Sequence, residues 1–391
     1  MASVIVSGAR TPIGKFMGAF SGFTAMDLGG FAIAEAIGRS GLSADVIDYV
    51  VMGHVLQAGQ GQITARQAAA KGGVSMNVPA ITINKVCLSG LNAVHLADVL
   101  IRSGEADIVV AGGMESMTNA PYAMPKARSG ARMGDAKLVD LMIHDGLWCA
   151  FDNKHMGDSS DDVNKKMGIT RAEQDEWSAR SHERAADATK AGRLADEIVA
   201  VSVPQRKGDP LLVEEDEGIR PGTTVESLGK LAPAFQKEGT ITAGSASQIS
   251  DGGAALIVMS EEKAAALGLT PLATIVAHGQ VAGPDASLHL QPSNAIKAAA
   301  AKAGLDAAGL DLYEMNEAFA AVSVASGRDL GVGDDKVNVN GGAIALGHPI
   351  GMSGARLILT LAYELKRRGG GTGAAALCGG GGQGDALIIR V

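Results

Sequence analysis

The sequence predicts an α/β fold made of two similar halves, on three observations. Strand-like apolar runs alternate with longer helical ones in both end regions, the pattern of a parallel-rich sheet flanked by helices. Glycine is high at 53 of 391 residues, and aromatics are only 3%; a core of Ala, Val, Ile and Leu with many tight strand-to-helix turns fits this better than a β-sandwich. An early set of segments also returns about 265 residues later.

The echo runs element by element. Ser3-Val-Ile-Val-Ser-Gly-Ala-Arg10 is a strand running into glycine, and Leu272-Ala-Thr-Ile-Val-Ala-His-Gly279 repeats it. Ser89-Gly90 opens a mostly apolar helix that ends at Arg102-Ser-Gly104, before Ile108-Val-Val-Ala-Gly-Gly113. In the second half Ser353-Gly354 opens a helix ending at Lys366-Arg-Arg-Gly369, before Ala374-Ala-Ala-Leu-Cys378-Gly-Gly. A pseudo-twofold duplication with each half's buried helix at the junction accounts for this; the competing explanation is chance similarity among glycine-rich α/β segments.

Residues 115–270 do not echo. Met114 to Gly146 is rich in Met, Pro, Arg and Gly, as expected of an excursion. Thr170-Arg-Ala-Glu173 fits a capping box and opens a helix through Trp177, Ala185 and Ala186 that stops at Gly192. Gly208-Asp-Pro and Glu214-Glu-Asp-Glu-Gly-Ile-Arg220-Pro-Gly read as turns and acidic surface. Thr240 to Gly253 is a long small-residue stretch before the strand Ala254–Met259; backbone so bare lets a ligand approach closely. Ala386-Leu-Ile-Ile-Arg-Val391 is a last strand.

Bulk properties exclude several classes. A net charge of −8 argues against a nucleic-acid surface, which needs a basic stripe, but leaves room for a phosphorylated small ligand held by a few local cations. Three cysteines, 87, 149 and 378, make no even disulfide framework, so reduced thiols and a cytoplasmic home are expected. No secretory leader and no run of membrane-spanning length is expected. Metal-ligand spacings are absent from the sequence, as are a P-loop and a strand-to-helix GxGxxG, so no metal is expected.

The residues suited to chemistry are few. Cys87 follows Ile81-Thr-Ile-Asn-Lys-Val and precedes Leu-Ser-Gly. At a helix N-terminus, free amides and the macrodipole would stabilise its thiolate for nucleophilic attack; a cysteine is also a common small buried apolar residue. His348 lies in Gly341-Gly-Ala-Ile-Ala-Leu-Gly-His348-Pro-Ile-Gly, a constrained loop from which a histidine is able to take a thiol proton or polarise a carbonyl. Cys378 precedes Gly379-Gly-Gly-Gly382, where close approach, free amides and a proton-carrying thiol coincide. Asn316 and Glu317 sit at a strand-to-helix passage; they suit either holding a water and bracing neighbours or plain helix capping.

Together these segments resemble the thiolases over essentially the whole chain. Asn84-Lys-Val-Cys87-Leu-Ser-Gly is similar to that family's nucleophile motif, and Asn316-Glu-Ala-Phe319 to its second signature. The Gly341 to Gly354 run resembles the third, and Cys378-Gly-Gly-Gly the fourth. The resemblance implies duplicated α/β halves in five layers (αβαβα) with an inserted loop domain. Expected boundaries are 1–118 for the first half, 119–249 for the CoA-binding loop domain, 250–270 for the return, and 271–391 for the second half. It implies that Cys87 is the acyl-accepting nucleophile, His348 its activator and Cys378 the acid/base at the second acetyl unit. Asn316 would hold a water that stabilises the enolate oxygen together with His348, and the amides of Cys87 and Gly380 would form the other oxyanion hole. Leu147, His155, Met156, Arg220, Ser227, Phe235, Ala243 and Ser247 match the CoA site, with Ala318 and Phe319 beside it.

The implied activity is that of an acetyl-CoA C-acetyltransferase: ping-pong Claisen condensation of two acetyl-CoA to acetoacetyl-CoA and CoA, and the reverse thiolysis. No permanently bound cofactor, no membrane and a homotetramer (a dimer of dimers) are expected. A broader 3-ketoacyl-CoA thiolase of fatty-acid β-oxidation is the alternative, and a non-catalytic acyl-CoA or lipid carrier a remote one. Cys378-Gly-Gly-Gly argues against ketosynthases and hydroxymethylglutaryl-CoA synthases. Two departures from the family pattern stand out: Asp285 to Asn294 replaces its usual Gly-Pro-x-Pro, and Lys85 with Leu88 marks a variant nucleophile motif.

Overall fold

The structure, a computed structural model, describes residues 2–391. Its strands are β1 (Ser3–Arg10), β2 (Tyr49–Gly53), β3 (Ala80–Ile83), β4 (Ile108–Ser116), β5 (Ser250–Ser260), β6 (Ala273–Ala282), β7 (Leu312–Met315), β8 (Thr372–Gly379) and β9 (Gln383–Arg390). With the two-residue strand Gly14–Lys15, which pairs with β5, they form one ten-stranded sheet in the order β7-β8-β9-β6-β1-β5-β4-β2-β3.

The duplication is written in this order. Outward from the junction the first half runs β1-β5-β4-β2 and the second β6-β9-β8-β7. Equivalent pairs share their sense: β1/β5 and β6/β9 antiparallel, β5/β4 and β9/β8 antiparallel, β4/β2 and β8/β7 parallel. A register shift between Ile5 and Ser7 recurs between Ile275 and Ala277. The halves join where Val4 and Ile5 pair with Thr274 and Ala273. The sheet is therefore mixed rather than parallel-rich. The turn between β8 and β9, Gly380 to Gly382, is far too short for a crossover and permits only an antiparallel pair.

Eight helices matter here: α1 (Ala25–Ser40), α2 (Thr64–Lys71), α3 (Ser89–Ser103), α4 (Met156–Met167), α5 (Arg171–Lys190), α6 (Gln291–Ala303), α7 (Ala320–Leu330) and α8 (Ser353–Arg367). Helices α3 and α8 pack on each other and on strands of both halves, while α1 and α2 cover the first half's outer face and α6 the second's. That is five layers. A helix with sheet on both sides must bury residues on most of its faces, and α8 buries Ala355, Leu357, Ile358, Leu359, Leu361, Ala362 and Leu365 together with the polar Arg356, Thr360 and Glu364. The stretch Val86–Ser103 does reach the length and apolarity of a membrane span, against expectation, because it is core: 56% of it is buried in the fold.

Between β4 and β5 the chain holds short hairpins, α4 and α5. The Thr170–Glu173 capping box forms as the sequence predicts. Asp216 is not surface: the buried Arg10 guanidinium reaches it at 2.7 and 3.0 Å and Glu197 at 2.6 Å. A guanidinium inside the fold requires carboxylates around it, and these two tie the excursion to β1.

The central helices cross at the echoed glycines. A Cβ on Gly354 would lie 2.3 Å from the Leu91 backbone nitrogen, and one on Gly90 2.9 Å from that of Ala355. Helix propensity alone makes Gly354→Ala stabilising by about 1 kcal/mol. The backbone contact reverses the sign: urea unfolding is expected to show a loss of about 2 kcal/mol or more.

Candidate active site

Cys87 sits two residues before α3, on a turn fixed by its neighbours. Asn84 Oδ1 accepts from Val86 N (3.1 Å), Ser89 Oγ accepts from Lys85 N (2.8 Å), and the Ser89 hydroxyl donates to Val86 O (2.6 Å). These bonds hold Val86 at φ 51°, a left-handed conformation that strains a β-branched residue. The Cys87 thiol is buried. Burial pushes its pKa up to about 12, the Glu115 carboxylate adds to the rise, and the backbone amide at Cys87 opposes it. Desolvation, the largest of these causes, outweighs the amide and favours the protonated thiol at rest, against the helix-end thiolate expected from sequence.

Cys378 ends β8. Burial raises its thiol above the ordinary value and the nearby Cys87 sulfur raises it further. Two sulfurs that feel each other do not both ionise. Among the described residues neither the Cys87 nor the Gly380 amide donates to a main-chain carbonyl or to another residue's side chain.

His348 has a defined tautomer. The Ser353 hydroxyl donates to Pro349 O (2.8 Å), so at 2.6 Å it accepts from His348 Nδ1–H. The Nε2 lone pair then faces Asn316 Nδ2 at 3.3 Å. Burial, aided by the Arg356 charge, holds the imidazole pKa down to about 3. Asn316 lies behind His348, its Oδ1 buried without a partner among the described residues. Glu317 is no helix cap. Its carboxylate accepts from Trp177 Nε1 (2.9 Å), Ser181 Oγ (2.7 Å), Asn338 Nδ2 (2.9 Å) and Ile344 N (3.0 Å), bracing α5 against the loop that leads to His348.

A cavity of about 310 Å³ collects these groups: Cys87, His348, Cys378 and Gly380 line it, with Leu147, His155, Met156, Phe235, Ala243, Ser247, Ala318 and Phe319. The His155 and Phe235 rings stack at 4.7 Å, and Phe319 meets Phe235 edge-on at 6.0 Å. Arg220 and Ser227 line a separate cavity that shares Ala243. Sequence reasoning did not single out Leu288, Ile249 or Ile350 as lining residues; Leu288 belongs to the divergent Asp285 to Asn294 segment, which was the available signal. A neutral imidazole, two protonated thiols and the amides of Cys87 and Gly380 on an apolar cavity suit nucleophilic acyl transfer followed by proton transfer.

Comparison with known proteins agrees with this chemistry. The family profile described as "Thiolase, N-terminal domain" matches residues 3–262 and "Thiolase, C-terminal domain" matches 269–391. A "Probable acetyl-CoA acetyltransferase" of Mycolicibacterium smegmatis is 58% identical, over 99% of this chain and 100% of its own. "Acetyl-CoA acetyltransferase" of Pseudomonas aeruginosa is 52% identical, and that of Cupriavidus necator 51%, each over 99% of this chain and 98% of its own.

The depressed His348 pKa links stability to pH. A histidine ordinarily titrates near 6.5, so between there and about 3 the unfolded chain binds a proton that the native site refuses. Stability is full above 6.5 and falls as pH drops through that window. His289, held to about 4 by burial, acts in the same direction. Replacing His348 by Asn should flatten the dependence by up to about 1.4 kcal/mol per pH unit, measured by urea unfolding between pH 4.5 and 7; an unchanged slope would contradict the neutral imidazole.

Proposed function

The chain belongs to the thiolase family, and we propose that it is an acetyl-CoA C-acetyltransferase working through a two-thiol centre. The observation that carries the reading is the meeting of Cys87, His348 and Cys378 on one apolar cavity beside the amides of Cys87 and Gly380.

The proton inventory gives the sequence of steps. Cys87 Sγ attacks the thioester carbonyl of acetyl-CoA as its proton passes to His348 Nε2, and the two amides hold the carbonyl oxygen as it becomes negative. The C–S bond to CoA breaks, and the departing CoA thiolate takes the Cys378 proton. The centre then holds acetyl-Cys87, an imidazolium and a Cys378 thiolate. A thiolate whose thiol has been raised by burial is the stronger base, which narrows the gap to the carbon acid of a second acetyl-CoA. Cys378 takes the α-proton. The enolate oxygen is held by His348 Nε2–H and by a water on Asn316, and the carbanion attacks acetyl-Cys87. Cys87 leaves as a thiolate and recovers its proton from His348. Acetoacetyl-CoA and CoA are released, the enzyme is restored, and thiolysis is the same path reversed.

Thiolases take CoA thioesters as substrates, and the cavity of Arg220 and Ser227 supports a path for the phosphorylated end of CoA, with Arg220 supplying the cation. Residues 119–249 form the CoA-binding loop domain in this reading, between halves at 1–118 with 250–270 and at 271–391. Exposed Tyr122, Met133 and Leu138 support assembly through this excursion into a homotetramer, and unpaired cysteines support a cytoplasmic enzyme. Leu288 on the cavity wall supports a part for the divergent segment in setting acyl length; in this reading turnover of acetoacetyl-CoA exceeds that of a long 3-oxoacyl-CoA, and the opposite order would favour a broad β-oxidation thiolase.

Peptide mass spectrometry after brief incubation with acetyl-CoA is the direct test. One acetyl group is expected on Cys87, removed by added CoA and absent from Cys87→Ala. Cys378→Ala should keep the adduct, with His348 returning its proton to CoA, yet lose condensation by about a thousandfold. Loss of the adduct in both variants would contradict the division of labour.

A further inference from the structure

Two turns from different halves carry the two thiols, and few side chains reach from one to the other. Lys85, two residues before Cys87, places Nζ 2.8 and 3.0 Å from the oxygens of Asp385. Asp385 lies on β9, where Leu377 pairs with it and Cys378 with the adjacent Gly384, so it sits at the base of the Cys378 hairpin. Its carboxylate is fully buried. It also takes Asn92 Nδ2 of α3 at 3.3 Å and has His278 Nε2 at 3.9 Å. On the other side of Cys87, Leu88 fills the space over Gly379: a Cβ there would be 2.6 Å from Leu88 Cγ. Val86 lies 3.5 Å from the same point on Gly380. Lys85 and Leu88, the two positions at which the nucleophile motif is unusual, are thus both in contact with the opposite half's hairpin.

We propose that Lys85 and Asp385 are positioning residues, their ion pair clamping the Cys87 turn to the Cys378 hairpin and so fixing the gap between the two sulfurs. The proposal rests on the two-thiol reading above. Lys85 has no route to the acyl group itself, since its ammonium is committed to Asp385. The pair acts because the Val86 turn is strained and the hairpin is made largely of glycine, so neither holds its place against the other without a directional contact. Van der Waals contact through Leu88 keeps the turns together but leaves sliding free; two short charge-assisted hydrogen bonds fix the register. Of the two half-reactions, acetylation uses Cys87 and His348, each held within its own loop, plus one hairpin amide, and the proton that Cys378 gives to departing CoA can also come from His348. Carbon–carbon bond formation needs in addition a hairpin sulfur within reach of the second acetyl unit. It is the step most exposed to misregister.

The test separates the half-reactions in Asp385→Asn and Lys85→Gln. Acetylation is followed by exchange of labelled CoA into acetyl-CoA, and the second step by condensation. The expected result is exchange within about threefold of wild type and a condensation kcat lowered about 10- to 100-fold, the cost of roughly 1 Å of misplacement, with KM little changed. Lys85→Arg should recover most of the condensation rate. Should Asp385→Asn not fold, Lys85→Gln and Lys85→Arg make the same comparison, Lys85 being partly solvent-exposed. Equal losses in both half-reactions, or unimpaired condensation in a folded variant, would overturn the clamp. Absence of acetyl-Cys87 from the wild-type enzyme would instead sink the two-thiol reading, and the clamp with it.

Discussion

The close crossing of α3 and α8 is the constraint on which the site depends. Each helix begins with Ser-Gly, and the two residues have separate tasks. Gly90 and Gly354 let the helix starts approach backbone to backbone. Ser89 and Ser353 hold the loops that precede them: Ser89 Oγ closes the turn before Cys87, and Ser353 Oγ orients His348 through Nδ1. In each case the hydroxyl donates to a loop carbonyl, of Val86 or Pro349, and accepts from the group it fixes. Duplication followed by divergence of one loop into a nucleophile and the other into a base thus brings the pair together with no further invention.

Buried carboxylates stiffen this junction from behind. Glu115 accepts from the amides of Val55, Leu56 and Gly351, joining the first half to the loop just past His348. Glu317, with four donors, does the same from the excursion side. Each is an interior carboxylate whose desolvation is offset only by a full set of donors, so each specifies one loop arrangement rather than several. Glu314 is different in kind. It pairs with Arg356 Nη1 at 3.0 Å, and burial nonetheless lifts its pKa to about 8.

Much of this was legible in the residues. The strand-and-helix echo and the Thr170 capping box follow from local patterns with strong signatures, and the family resemblance anticipates Cys87, His348 and Cys378 sharing one cavity with Leu147, His155, Met156, Phe235, Ala243, Ser247, Ala318 and Phe319, while Arg220 and Ser227 fall on a second. What was missed depends on partners distant in sequence. Strand sense depends on whether a connection crosses over, which the four glycines at 379–382 signalled only weakly. Asp216 looked like surface because its neighbours are acidic, and only Arg10, some two hundred residues earlier, explains its burial. The protonation of Cys87 is hidden from the sequence for the same reason. A helix start is visible locally, while the desolvation that outweighs it is produced by packing from the other half, Leu88 against Gly379 included.

The protonation of these groups also says how such a centre has to work. With both thiols raised and His348 lowered to about 3, every reacting group is uncharged at rest, and an apolar cavity tolerates this without counter-ions. Charge arises only when a thioester carbonyl arrives to accept it, beside the amides of Cys87 and Gly380. The same desolvation that disfavours a standing thiolate makes the thiolate, once formed, more nucleophilic at Cys87 and more basic at Cys378. A site built on a permanently stabilised thiolate would give up that second property, and it is the second property that abstraction of a proton from carbon demands.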